Sequence, residues 1–239
     1  MTVIYSQLGK NGRLGNQLFQ IASTIGIALK NNHKYAFPKW DFQNYFDNKL
    51  PFFNQLDVSK SLEESSYAYH SIVLEPNKDY DLNGYFQSYK YFNDYKDVIK
   101  PYFTPNFEFN TGTDDQVAMH VRRGDYLERS NFHTNLTLEY YNKAMSVFPN
   151  SKFVIFSDDI KWCIQNFDHD TCYFTITTEL GDIGDLFYMS SFKNHIIANS
   201  SFSWWGSYLG NSEVTVAPKD WFQVDLDTKD LYLPEWIQI

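Results

Sequence analysis

The sequence predicts an α/β fold built on parallel sheets, and three observations carry that prediction. Residues 2–37 read as strand, glycine-rich loop, helix and strand. From residue 117 to 217 short apolar runs alternate with amphipathic stretches, the pattern of a parallel sheet with helices on both faces. Three of those runs, 117–119, 153–155 and 195–198, end in polar clusters, and ligands of open α/β sheets bind outside the carboxyl ends of the strands.

The elements follow in order. Residues 2–7 form the first strand. After the loop carrying Gly9, Gly12 and Gly15, the apolar positions Leu18, Ile21, Ala22, Ile25 and Leu29 line one face of a helix over 17–30, with Asn16 as its N-cap. A second strand covers 34–37. Residues 41–110 are rich in Asn, Asp, Tyr and Phe and carry prolines at 51, 76, 101 and 105, which favours short helices and loops over a regular sheet. The turn-forming stretch 101–115 divides a first domain, 1–110, from a second, 111–239. The second domain holds strand 117–121, a helix over 138–147 capped by Thr137 and stopped by Pro149, strand 153–156, a helix from Asp159, strand 172–177, a helix over 185–192, strand 195–198, a helix over 202–209 and strand 214–217.

Composition narrows the function. The net charge of −9 argues against a nucleic-acid partner, which a basic face would bind, and against an extended polyanion. A small anion remains admissible if a few placed arginines and backbone N–H groups hold it. Aromatic residues make up 19% of the chain; most serve as core, and a minority suit stacking on a sugar ring. Cys163 and Cys172 complete no metal-ligand set, and two cysteines fit a reduced, cytoplasmic protein. No signal peptide is visible, and the apolar segment 18–29 is too short to span a membrane, so the sequons at Asn135 and Asn199 read as chance matches.

The polar clusters carry the chemistry. The loop spacing G-x-x-G-x-x-G is not the dinucleotide fingerprint and lacks its downstream acid, so it reads first as a turn, with Arg13 and Asn16 facing the strand edge. In His120-Val121-Arg122-Arg123, His120 and Arg122 share one side of the strand. Arg122 offers a planar fork for phosphate oxygens, weighed against a surface ion pair with Asp125. Lysine at position 122 would keep the charge and leave folding unchanged while losing the fork. Ser157-Asp158-Asp159 either caps the next helix or presents a carboxylate to a guanine edge. Asn199-Ser200-Ser201 sits at a strand-to-helix turn, where free N–H groups hold phosphates; Trp204 and Trp205 read as packing.

Gly12-Arg-Leu-Gly-Asn-Gln-Leu-Phe-Gln20, Gly84-Tyr-Phe-Gln-Ser-Tyr-Lys-Tyr-Phe92, His120-Val-Arg-Arg-Gly-Asp-Tyr126, Phe156-Ser-Asp-Asp159 and Asn199-Ser-Ser-Phe-Ser-Trp-Trp-Gly206 resemble, in family order, the signature segments of the α-1,2-fucosyltransferases, glycosyltransferase family 11. The resemblance implies a GT-B fold of two Rossmann-like domains. The first would face the acceptor, and the second would hold the GDP-sugar at the carboxyl ends of its strands. It further implies GDP-β-L-fucose as donor, no metal or other cofactor, and inverting transfer to a hydroxyl, O2 of a terminal galactose, on an oligosaccharide or lipid-linked glycan of the polysaccharide or O-antigen type. By the same resemblance Arg122 and Arg123 meet the donor phosphates, while Asp158, Asn199, Ser200, Ser201 and Phe202 surround the nucleotide. Gly15 of the glycine loop is expected to help bind the donor, and Asn16, expected to be catalytic, is similar to the asparagine that protein O-fucosyltransferases place near the fucose. Two departures stand out. The chain is short for the family, which bears on the acceptor side, and Phe192 stands where relatives often carry Cys.

The implied reaction is a single displacement at fucose C1 with GDP leaving, so Arg122 and the Ser201 turn act most strongly on the developing charge. Asp125 and His120 are the candidates for a general base, and Arg123 either assists or holds Asp125. Competing readings are another nucleotide sugar on the same scaffold, such as a galactosyl donor, a non-catalytic glycan-binding protein, and an oxidoreductase, which the glycine spacing disfavours. Peripheral association with the inner membrane face would suit a lipid-linked acceptor.

Overall fold

The computed structural model describes residues 1–54, 60–176, 179–210 and 212–239. The chain divides into two units, residues 1–108 with 227–233, and residues 109–226 with 234–239. The expected domains, 1–110 and 111–239, kept the whole second half together; residues 227–233 instead group with the first unit.

The first unit is built on a four-stranded parallel sheet of β1 (Thr2–Ile4), β2 (Lys34–Ala36), β3 (Lys60–Glu63) and β4 (Tyr80–Asn83), in the order β2-β1-β4-β3. Between β1 and β2 runs α1 (Leu14–Lys30), buried along most of its length. It starts three residues earlier than expected, with Arg13 at the N-cap and Asn16 inside the first turn. Gly12 explains this: its left-handed φ of 81° turns the chain early, and a Cβ there would lie 2.4 Å from Asn16 Nδ2. A short α2 (Lys96–Ile99) and several 3₁₀ turns complete the unit.

The expectation of no regular sheet over 41–110 fails at β3 and β4. Along β4, Tyr80 and Leu82 are buried and alternate with Asp81 and Asn83, so the strand has period two behind residues that are usually depleted from strands. Asp81 is not wasted, because its Oδ1 accepts from Ser6 N–H at 2.9 Å and fixes the turn after β1. The returning segment is anchored at Asp230, whose buried carboxylate pairs with Lys90 and accepts from Tyr69 N–H at 3.1 Å, while its carbonyl accepts from Ser88 Oγ at 2.7 Å.

The second unit has a six-stranded, wholly parallel sheet: β5 (Gln116–Val121), β6 (Lys152–Ser157), β7 (Cys172–Phe174), β8 (Asn194–Ile196), β9 (Val214–Ala217) and β10 (Ile237–Gln238), ordered β10-β9-β8-β5-β6-β7. Its helices are α3 (Gly124–Glu128), α4 (Leu138–Met145), α5 (Ile160–Asn166), α6 (Gly181–Ser190) and α7 (Ser201–Gly210). Both faces of β5 are covered, as alternation demands. Val117, Met119 and Val121 pack with Tyr141, Ala144, Cys163 and Phe167 on one face, and Ala118 packs with Val154, Phe156, Met189 and Phe192 on the other. Phe192 is thus core. Trp204 and Trp205 are fully buried, as read from sequence.

Here the predicted elements hold with shifted ends. Strand 172–177 is observed only as Cys172–Phe174, and Thr177 lies outside the described residues. Asp159 does cap α5, its Oδ1 accepting from Trp162 N–H at 3.2 Å, whereas Thr137 precedes α4 without a side-chain bond. Among the described residues no helix is long and apolar enough to cross a membrane.

Candidate active site

Chain order in the second sheet runs outward from β5 to β6 and β7, then returns to β8 on the other side of β5. The order therefore reverses between β5 and β8, and the crevice beyond such a switch point is where α/β sheets bind ligands. Arg122 follows β5 directly, and Asn199 follows β8 within three residues.

Arg122 is held in its own plane by two carboxylates. One terminal nitrogen, Nη1, meets Asp158 Oδ2 at 2.7 Å, and Nη2 pairs with Asp125 of α3. One N–H donor goes to Asp125 and a second nitrogen is ion-paired with Asp158, so the guanidinium's five donors are not exhausted by these two partners. Arg123 turns elsewhere. Its Nε pairs with Asp159 Oδ2 at 3.2 Å, and its guanidinium carbon lies 3.9 Å from the centroid of the Trp162 ring on α5. Sequence analysis set Arg122 ahead of Arg123; in the structure Arg122 pairs with Asp158 and Asp125, while Arg123 pairs with Asp159 rather than Asp125 and ties the β5 loop to α5.

Asp158 has both oxygens engaged, Oδ1 accepting from Arg123 N–H at 2.9 Å and Oδ2 ion-paired with Arg122. Its position orients Arg122, and the side chain stays 26% exposed. Gly124 makes that approach possible, since a Cβ there would stand 2.4 Å from Asp158 Oδ2.

His120 is corrected from candidate base to packing residue. It is buried, its Nδ1 lies 2.9 Å from Ser203 Oγ, and its ring is 5.4 Å from that of Phe202. Burial, with a lesser push from Arg122, lowers its pKa to about 3, so it stays neutral. Asp125, the other candidate base, lies on α3 and pairs with Arg122. In the turn after β8, Asn199 is buried and donates from Nδ2 to the carbonyls of Thr134 and Trp221 at 2.9 and 2.8 Å. Ser200 N–H is taken by Ala198 O at 2.8 Å, Ser201 opens α7, and Phe202 packs against the β5–β6 face.

Gly15 and Asn16 lie in the first unit, in the first turn of α1, and Asn16 Oδ1 accepts from Gln87 Nε2 at 2.7 Å. Gln87 lies within a quoted sequence segment without having been singled out. Nearby Glu64 was also missed. Its carboxylate accepts from Tyr85 N–H at 2.7 Å and Phe86 N–H at 2.9 Å, and burial raises its pKa against those bonds. No pattern in the sequence marks it. Among the described residues no group of three or more His, Cys, Asp or Glu is arranged to hold a metal ion.

The model of glycosyl transferase family 11 matches residues 33–239. The chain is 29% identical to an α-1,2-colitosyltransferase of Escherichia coli, covering 100% of this chain and 99% of that protein. It is 28% identical to the O-antigen biosynthesis glycosyltransferase WbnK of Escherichia coli, over 93% and 72% of the two chains. A galactoside α-(1,2)-fucosyltransferase 1 of Rattus norvegicus is 27% identical over 95% and 71%. Among solved structures, the fucosyltransferase NodZ from Bradyrhizobium superposes with a TM-score of 0.50 at 11% identity, over 87% of this chain and 93% of that one. That last likeness is one of fold alone.

Proposed function

The chain belongs to glycosyl transferase family 11, and from that premise we propose that it moves L-fucose from GDP-β-L-fucose to O2 of a terminal galactose, with inversion. Arg122 carries the proposal, as an arginine fixed by two carboxylates at the switch point of a parallel sheet with donors to spare. The acceptor hydroxyl attacks C1, the bond from C1 to the phosphate oxygen breaks, and GDP leaves with the electron pair. Arg122 meets the charge that gathers on the leaving oxygen, where fixed donors lower the barrier most. N–H groups of the turn after β8, at the start of α7, add partial positive charge.

Local charge favours directed contacts over bulk attraction. Arg122 and Arg123 face Asp125, Asp158 and Asp159, so a diphosphate is recognised by aimed N–H donors and not by a positive field. We assign no metal to this reaction. The same reading takes the fold as GT-B, with the acceptor on the first unit.

Differential stabilisation tests the donor, since a ligand bound only by the native state raises its melting temperature. GDP and GDP-fucose should stabilise the protein, and UDP-galactose at equal concentration should not. Transfer to a β-galactoside should then yield an α-1,2-linked fucoside. Equal shifts with UDP-galactose would overturn the reading. A second donor follows from the full-length match to a colitosyltransferase: GDP-colitose, which lacks only the 3-hydroxyl of GDP-fucose, and which a competition assay separates by kcat/KM.

A further inference from the structure

Two carboxylates fix Arg122 within its plane, and something else must fix the plane itself. The guanidinium carbon lies 5.0 Å from the centroid of the Tyr126 ring on α3, within range of a cation–π contact. Tyr126 is stacked in turn on His133, with ring centroids 3.9 Å apart and planes 6° from parallel. Behind His133 the chain is braced. Phe132 meets the His133 ring edge-on at 4.9 Å, His133 pairs with Phe222 in an antiparallel bridge, and Phe132 O accepts from Gln223 N–H at 2.9 Å. Burial holds the His133 pKa below the usual imidazole range despite Asp125 nearby, so the stack does not bring a second cation up to Arg122.

The same tyrosine reaches the other side of the switch point. Its hydroxyl donates to Asn199 O at 3.1 Å, at the head of the turn that leads into α7. Asn199 is itself pinned by Thr134 O and Trp221 O, the neighbours of His133 and Phe222. One side chain thus touches both groups expected to hold the diphosphate, the guanidinium after β5 and the turn after β8.

We propose that Tyr126 and His133 are positioning residues of the donor site: the stacked pair sets the plane of Arg122, and the Tyr126 hydroxyl sets its spacing from the Asn199–Ser201 turn. The inference rests on the donor reading given above. It predicts a hierarchy that loss of packing alone does not. Tyr126→Phe keeps the ring and loses one hydrogen bond, so kcat should fall about 3-fold. Tyr126→Leu loses ring and bond together and should lower kcat by ~10–30-fold. KM for the donor should move less, because Arg122 acts mainly on charge that develops in the transition state. His133→Ala should cost about 5-fold in kcat, and His133→Phe, which restores an aromatic backing, should recover most of that loss.

The experiment measures kcat and donor KM for the four variants, normalised to folded protein by active-site titration with GDP, beside GDP binding and transfer by the parent. A parent that neither binds GDP nor transfers fucose refutes the donor reading. A parent that does both, with all four variants within 2-fold of its kcat per folded molecule, refutes the positioning role alone. So does a Tyr126→Leu variant that raises KM while leaving kcat intact.

Discussion

Arg122→Lys is the most informative single substitution. Lysine keeps the charge but offers one nitrogen, and that nitrogen cannot replace the two arms now directed at Asp158 and Asp125. The arginine side chain is 13% exposed, the two aspartates 26% and 34%. Stranding one acceptor in such a setting costs about 1–3 kcal/mol, and screening at this exposure favours the lower half of that range. For a chain of this size each 1 kcal/mol lowers the melting temperature by ~2–4 °C, so a drop of roughly 2–8 °C is expected. This corrects the expectation from sequence that folding would be untouched. The chemical loss is larger. Removing a donor aimed at transition-state charge lowers turnover by ~10²–10³, so kcat at saturating GDP-fucose should fall at least ~100-fold. Arg123→Lys is the comparator, since its partners are one carboxylate and one ring, both of which an ammonium can still meet; its loss should be smaller. A near-normal Arg122→Lys, or the reverse order of severity, would refute the assignment of phosphate contact to Arg122.

Three other outcomes are expected. Stability should fall on acidification below pH 6.5, because His120 and His195 are buried neutral with pKa values lowered to about 3 and about 4. The unfolded chain binds those protons first, each costing about 1.4 kcal/mol per pH unit until the folded values are reached, and a flat urea-unfolding profile from pH 6.5 to 5 would contradict this. Gly124→Ala drives a methyl group against Asp158 Oδ2; it should destabilise the protein by about 1–3 kcal/mol and weaken GDP binding, measured by calorimetry. Activity should survive EDTA, and loss restored by Mn²⁺ or Mg²⁺ would reverse the proposal that no metal takes part.

Much of the second unit was legible because β5, β6 and β8 come from continuous apolar runs that end in polar clusters, which is how a strand buried on both faces reads; β10, two exposed residues, gave no such signal. The β5 and β8 ends could be located from Arg122 and Asn199 alone. What the sequence hid depends on partners far apart in the chain. Sequence could not show that Asp158 also pairs with Arg122 and accepts from the N–H of Arg123. His120 looked accessible because alternation gives a side chain's direction along a strand but not the helix packed over it. His133 carries no signal, being one histidine in a loop, and only the stack on Tyr126 gives it meaning. In the first unit β4 was missed for a chemical reason: Asp81 and Asn83 occupy the outward positions of a strand whose inward face is Tyr80 and Leu82.

The return of residues 227–233 to the first unit has a consequence for synthesis. Residues 1–108 leave the ribosome first, but Ser88, Lys90 and the Tyr69 N–H meet Asp230 only after residues 109–226 have been made. At translation rates of ~5–20 residues per second, those groups wait on the order of ten seconds for their partner. An isolated 1–108 fragment would keep that deficit permanently, and a nascent chain carries it for as long as the second unit is emerging. Residues 227–233 therefore complete the first unit only shortly before 234–239, with β10, complete the second.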